Sequence, residues 1–511
     1  PTPSTSQEPT PSTSQEPTSP PTSVPSWPEY AYPPGDVLES PEFELLGPTL
    51  EGDGYSFSSP RLVDLNGDGV LDIVLGLAVR ESDGAITGGV LAQDGRTGEE
   101  LWRVSTKDDM FGSAVLMDVG GHVPDILIAG RSASLLRIDG ASGEVVWSFL
   151  PDSDGRDEGW YHFFGPVVVD DVDGDGVPDI IVPNGGDGEA PPFSPRPAGH
   201  IVLLSGASGD VIHRIEVPDG AETYMSLVRY QRAGTDWLLF GTGGETHAGS
   251  LWRVPLASVL AGTLDDAVEL VAPTMHKGII APPAVGDLTG DGEPDVVVAT
   301  FDGRIVAVDG ETLEELWTVW VSDPEATPAI DAETMSTPAI GRFGENGELG
   351  VAASFSIGVY PYYTRSEHLL VLGTGEVIWR QQSLRAWTSG PWAIDLHDTG
   401  RDLAVFASTN FGSPFPGTRV AFVDPGSQTE RHSRRLDDTM VGTGWIGDVN
   451  GDGHMEFISA RFRGFAMLEV PGEIDVDPEW VLDRRDLNAL VPPVLSWPEY
   501  MGPGGMGNVG R

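Results

Sequence analysis

Cysteine is absent from all 511 residues, lysine occurs twice, and no apolar run approaches the length of a membrane span. The first absence excludes disulfides, thiolate zinc sites and cysteine nucleophiles. It leaves the compartment open. The second leaves Lys107 and Lys277 among 29 basic residues against 78 acidic ones, a formal charge of −49 that repels nucleic acid and anionic lipid and attracts cations. The third removes the helical kind of membrane crossing from this stretch, since that needs about 18 to 20 apolar residues. What is abundant is glycine, 66 residues, together with short β-branched runs at 39% hydrophobic content. A turn-rich all-β protein is expected. Most of the acidic excess reads as solvated surface, so only carboxylates in spaced loops are assigned as ligands.

Residues 1–25 read PTPSTSQE twice and then PTSPPTSVP. Such a Pro/Ser/Thr tract cannot bury a core, stays extended, and carries hydroxyls that are candidate O-glycosylation sites. It reads as a stalk or docking arm over 1–40, ahead of a main domain at 41–485 and a docking tail at 486–511. The pentapeptide SWPEY stands at 26–30 and again at 496–500. Trp and Tyr are interface anchors, and two copies suggest two equivalent docking grooves.

Between the ends the chain repeats. Aligned positions fall at Asp64, Asp118, Asp171, Arg229, Asp287, Arg342, Asp395 and Asp448, with gaps of 54, 53, 58, 58, 55, 53 and 53 residues. The third unit shows the grammar: GPVVVD, a loop, DIIVP, a variable segment, HIVLLS, the turn GASGD, and VIHRIEV. Four short strands per unit describe a β-propeller, here eight-bladed, whose closure removes exposed strand edges. Either EFELLGPTL at 42–50 or EWVLD at 479–483 is expected to complete the last blade.

Four of the loops carry carboxylates or their substitutes at positions one, three, five and nine, with glycines between. They are Asp64, Asn66, Asp68 and Asp72; Asp171, Asp173, Asp175 and Asp179; Asp287, Thr289, Asp291 and Asp295; and Asp448, Asn450, Asp452 and Glu456. Calcium takes six to eight oxygens, and glycines let a short backbone supply them from one segment. The seventh residues, Val70, Val177, Glu293 and His454, are expected to offer backbone carbonyls, giving about four Ca²⁺ sites. Units two and seven keep only Asp118 and Asp125, and Asp395 and Asp402, across shortened loops. Units four and six lack the ladder, so their turns are expected to hold without metal.

This pattern of strand, DxDGDGxxD and strand resembles the FG-GAP (VCBS) repeats of integrin α-subunit heads and of many bacterial surface proteins, over residues 57 to 470. The resemblance implies calcium ions that stiffen hairpins on one face while adhesion or assembly uses other loops. A second resemblance, in QDGRTGEELW, RIDGASGEVVW, VDGETLEELW and VLGTGEVIW, is to the tryptophan-docking turns of quinoprotein-like propellers. It implies that Trp102, Trp147, Trp317 and Trp379 lock one blade to the next, with His213 in that place in unit three. Pyrroloquinoline-quinone dehydrogenases share such a fold, but their vicinal cysteine pair has no counterpart here. HExxH, GxSxG and P-loop motifs are missing too.

The resulting expectation is an exported, extracellular or cell-surface, non-enzymatic propeller for adhesion or assembly. Its partners would be copies of itself, joined head to tail into filaments through the termini, or a surface protein or glycan. The alternatives are a secreted polysaccharide-active, lyase-like enzyme and a monomeric tethered adhesin. Variable segments at 183–200, 358–368 and 408–417 link second and third strands, so they share one face and are candidate recognition loops.

Overall fold

The computed structural model describes residues 54–80, 86–274, 276–321, 331–358, 363–383, 387–395, 400–410, 417–426, 429–432, 442–447, 456–461 and 464–469. All belong to the compact unit Asp36–Arg511. The tract at 1–40, both SWPEY copies, EFELLGPTL and EWVLD lie outside the described residues, as do the tail at 486–511 and most of the fourth loop, 448–455.

The described strands fall into eight separate antiparallel sheets, most of four or five strands, in a propeller-like all-β arrangement. Among the described residues helix is confined to Leu256–Leu260 and a 3₁₀ turn at Arg156–Glu158. The first strands of the eight sheets are Arg61–Val63, Val115–Met117, Val167–Val169, Val228–Arg232, Ala284–Gly286, Ala339–Arg342, Trp392–Ile394 and Trp445–Gly447. Each of the eight repeat positions closes one of these or follows it within two residues, Arg229 excepted, which lies within its strand.

Burial explains the strand sequences. Second strands such as Asp125–Ala129, Asp179–Gly185 and Asp295–Ala299 are buried along their whole length, because both faces of each sheet pack on a neighbour. Their near-continuous Val, Ile and Leu runs follow from that. Fourth strands such as Val211–Glu216 mix exposed and half-buried positions and read as polar edges. The apolar clusters lie between successive sheets. One joins Val63 and Val74 to Ile126 and Ile128, and another joins Leu127 and Leu135 to Ile180 and Val202.

A bulge recurs between the third and fourth strands of the first six sheets. Bulges bend a strand and re-aim its side chains. In five of these sheets the residue paired beside the bulge is Trp102, Trp147, His213, Trp317 or Trp379. Short extra strands, His162–Phe163, Ala332–Glu333 and Trp387–Thr388 among them, pair with the far ends of second strands and carry the chain toward the end opposite the predicted metal loops.

Candidate functional site

Three predicted metal loops are described, and all are built alike. The first carboxylate gathers loop N–H groups. Asp171 accepts from Gly174 at 2.6 Å and Gly176 at 2.9 Å, Asp64 from Gly67 and Gly69, and Asp287 from Gly290 and Gly292. Those six glycines have φ between 76° and 93°, a left-handed backbone that a side chain would strain. The last carboxylates, Asp72, Asp179 and Asp295, are buried at the start of the second strand. In each, one oxygen accepts the N–H groups of the second and third loop residues. The other accepts the N–H of Gly95, Gly206 or Gly310 in the turn between the third and fourth strands. The two hairpins of a sheet are thereby joined through a single carboxylate. Burial pushes Asp72 up to about 6 and raises Asp295, with backbone N–H donors opposing, so both would gain from a cation.

The loops differ at the cation. In the third unit, oxygens of Asp171, Asp173 and Asp179 lie within 4.8 Å of one another, the one such convergence of acidic or histidine ligands among the described residues. Oxygens that share one calcium at about 2.4 Å are separated by up to about 4.8 Å, so this set fits the ion. Asp175 has one oxygen held by Ser205 at 3.1 Å. In the first loop the Asn66 amide donates to Asp94 and Arg96 pairs with Asp68 at 2.9 Å, so a side-chain cation already faces that ladder. In the loop with Thr289, Glu293 pairs with Arg232 at 3.1 Å. The seventh residues Val70, Val177 and Glu293 donate their N–H groups to the fifth-position carboxylates. Of the fourth loop, Asp448, Asn450, Asp452 and His454 lie outside the described residues, and Glu456 opens the strand Glu456–Arg461.

The shortened loops use arginine. Arg137 donates to Asp125 at 2.6 Å, and Arg342 spans Asp402 at 3.2 Å and Asp395 at 3.4 Å. In unit four the turn closes at Ala233 and Gly234, both with positive φ, beside an Arg229–Asp236 pair.

Indoles join the sheets. Trp102, Trp147 and Trp317 donate their Nε1–H at 2.8 Å to the carbonyls of Gly140, Gly206 and Gly373 in the following sheet. Trp379 stacks on Phe406 at 5.3 Å, and the His213 ring lies 3.0 Å from where a Cβ on Gly262 would stand. Gly206 takes part in both systems. Its N–H goes to Asp179, while its carbonyl accepts from Trp147 and from Arg137.

A second cluster had no signature in sequence spacing. Asp109, Glu222 and Glu333 are each about 1–2% exposed and pair with Arg131 at 3.3 Å, Arg196 at 3.2 Å and Lys277 at 2.6 Å. Glu222 also lies 3.5 Å from His247, and the Tyr363 hydroxyl donates to Glu333 at 2.8 Å. Burial pushes Glu222 up to about 7 against the pull of Arg196. It also raises Glu245, which lies in the field of Glu333, Lys277, Arg131 and Arg196. These groups come from several sheets and converge among loops between second and third strands and the connections between sheets. Two of the recognition segments contribute, through Arg196 and Tyr363, whereas 411–416 of the third lie outside the described residues. The available hint was the rarity of lysine. Both lysines are engaged, Lys107 on the carbonyls of Leu150 and Ser153 and Lys277 in this cluster.

With that geometry in place, comparison decides the family. Residues 87–407, more than half of the chain, match the FAM234A/B beta-propeller family. The chain belongs to that family. Human protein FAM234A is 25% identical over 343 residues, covering 62% of this chain and 54% of FAM234A. Human FAM234B is 27% identical over 139 residues, 25% of this chain and 21% of FAM234B. The chain thus spans about half the length of FAM234A, and less of FAM234B. Among solved structures, the quinohemoprotein alcohol dehydrogenase ADHIIG of Pseudomonas putida HK5 superposes with a TM-score of 0.54 at 13% identity, over 84% of this chain and 75% of that one. A europium-containing methanol dehydrogenase gives 0.52 at 11%, over 82% and 84%. Saccharomyces cerevisiae Sqt1 gives 0.51 at 11%, over 84% and 99%. At such identities the likeness is one of fold, and it places this FAM234-family chain among propellers of differing roles.

Proposed function

We propose that this FAM234-family chain is an extracellular, non-enzymatic scaffold for adhesion or assembly: an eight-bladed propeller stiffened by calcium at loops of the FG-GAP type. The observation that supports it is the convergence of Asp171, Asp173 and Asp179 in a loop whose remaining N–H groups are already spent on the same carboxylates. Calcium bound there would offset two of the three negative charges and hold a hairpin. Asp171 would close one side, Asp173 and Asp175 the middle, and Asp179 would carry the constraint to the neighbouring turn through Gly206. The loops at 64–72 and 287–295 follow the same plan, with Arg96 competing in the first, and 448–456 repeats their spacing in sequence. On this reading the binding function belongs to the loop-rich end and to the SWPEY termini, through which subunits would join head to tail.

Thermal unfolding and negative-stain microscopy with and without a chelator test both parts. Removal of calcium is expected to lower the melting temperature and to shorten or dissolve filaments. An unchanged melting temperature would sink the calcium clamp. Monodisperse single particles in calcium would sink self-assembly while leaving adhesion to another surface.

A further inference from the structure

We propose that arginine and calcium are alternative counter-ions in this repeat, and that the residue after the turn glycine beside each loop decides which is used. Arg96 closes the first loop to calcium, whereas Ala207 leaves the third open. The inference rests on the calcium clamp proposed for these loops and names what tunes it.

The backbone defines the tuning position. Gly95, Gly206 and Gly310 each donate their N–H to the last carboxylate of their own loop, at 3.1, 3.0 and 3.0 Å. The next residues, Arg96, Ala207 and Glu311, therefore stand at the same place beside their loops. In units one and five the likeness extends through the turn, since Asp94 accepts the N–H groups of Arg96 and Thr97 just as Asp309 accepts those of Glu311 and Thr312. The side chains are a cation, a methyl group and an acid.

Arg96 reaches the fifth loop residue on both sides. Its Nε donates to Asp68 Oδ2 at 2.9 Å and its Nη2 to the Asp68 carbonyl at 3.4 Å, while Asp68 Oδ1 accepts the Val70 N–H at 2.8 Å. Asn66 is spent as well, its Oδ1 on the Asp68 N–H and its amide on Asp94. A carboxylate that calcium would need as a ligand is thus held by a cation tethered to the same sheet. In the third loop the corresponding Asp175 Oδ2 meets the neutral Ser205 hydroxyl at 3.1 Å. Among the described residues no arginine or lysine pairs with Asp171, Asp173, Asp175 or Asp179, and it is there that three carboxylates converge. Like charges gathered so closely repel unless a cation joins them.

Other units make the same exchange. Where the loop is shortened or lost, an arginine stands on the acids: Arg137 on Asp125, Arg229 on Asp236, and Arg342 on Asp395 and Asp402. Arg137 comes from a third strand, Arg229 and Arg342 from first strands. What these units share is a cation at the loop, not its source. In unit five Arg232 takes the side chain of the seventh residue, Glu293, at 3.1 Å rather than an acid of the ladder.

Equilibrium dialysis of the full chain against buffered free calcium at about 150 mM salt, with bound metal counted per chain, tests the exchange. Arg96→Ala should strengthen one binding step at least about tenfold, and Arg96→Lys, which keeps the charge, should stay close to the parent. Ala207→Arg should weaken one step of the parent at least about tenfold, with a calcium-free melting temperature equal to the parent's or higher. Should that variant melt lower, the two Arg96 variants decide alone. Arg103→Ala removes an equal charge from the same sheet, where Arg103 pairs with Glu100, and should bind as the parent does. An unchanged curve for Arg96→Ala, or for a folded Ala207→Arg, overturns the proposal. An equal gain in Arg103→Ala also overturns it, by reducing the effect to net charge. Calcium bound alike by parent and variants removes the exchange and leaves the clamp standing, whereas calcium bound by none of them removes both.

Discussion

Replacing Gly206 by alanine probes the junction between the proposed metal loop and the neighbouring sheet. The added Cβ would stand 1.8 Å from the Pro178 carbonyl oxygen and 2.6 Å from Met117 Cε. The first contact is with backbone, so the turn has to move. Three hydrogen bonds depend on its place: the N–H to Asp179 at 3.0 Å, and the carbonyl's bonds from Trp147 at 2.8 Å and Arg137 at 2.9 Å. Relieving an overpacked contact costs about 1–3 kcal/mol and each of the three weakened bonds about 1 kcal/mol, so a loss of about 4–6 kcal/mol is expected. Urea unfolding followed by tryptophan fluorescence reads this directly. The rise in melting temperature on adding calcium should also shrink, because Asp179 no longer transmits the loop's constraint. Ser208→Ala, two residues along, gives up only exposed hydrogen bonds with Asp210, serves as control and should change stability by about 1 kcal/mol or less. An alanine variant within about 0.5 kcal/mol of the parent, with its calcium response intact, would refute the coupling.

Arg342→Met should cost about 2–3 kcal/mol by leaving Asp395 and Asp402 facing each other, and adding Asp402→Asn should recover part of the loss. Additive losses in that double-mutant cycle would show that the arginine does not stand in for a cation. Glu222 predicts a pH effect. Its folded value of about 7 lies above the ordinary 4.5, so the native state holds a proton that the unfolded chain has released. Stability from this group is therefore full below about pH 4.5, falls as pH rises toward 7, and is flat above, a span of at most about 3 kcal/mol. Arg196, His247, Glu245, Asp187 and Tyr224 share its surroundings. Glu222→Gln should flatten that part of a pH–stability profile, and an unchanged slope would assign it elsewhere.

What could be read in advance was local. Each proposed metal loop spans nine residues, so its carboxylates, glycines and flanking β-branched runs sit in one window, and repetition marks where the sheets begin. The indole positions were legible for the same reason, since each follows its turn by a few residues. Inequality among the loops was harder to see. Asn66 and Thr289 were visible at the third position, but the Arg96 that faces Asp68 comes from another turn 28 residues along. The charged end was least legible. Asp109, Arg196, Glu245, Lys277 and Tyr363 share no period, and only the packing of successive sheets brings them together, so no short motif could announce them.

The indole joints have a direction. In each of the four described Trp–Gly bonds the earlier sheet donates and the later one accepts, at Gly140, Gly206, Gly373 and Gly444. Trimming the chain is therefore not symmetrical. Water can satisfy the carbonyl uncovered when a donor sheet is cut away and the N–H uncovered when an acceptor sheet is, but the second cut also leaves a large indole ring unroofed. Fragments that begin at a sheet boundary should thus behave better than fragments that stop at one. Any piecewise expression of this family would do well to keep C-terminal sheets and sacrifice N-terminal ones.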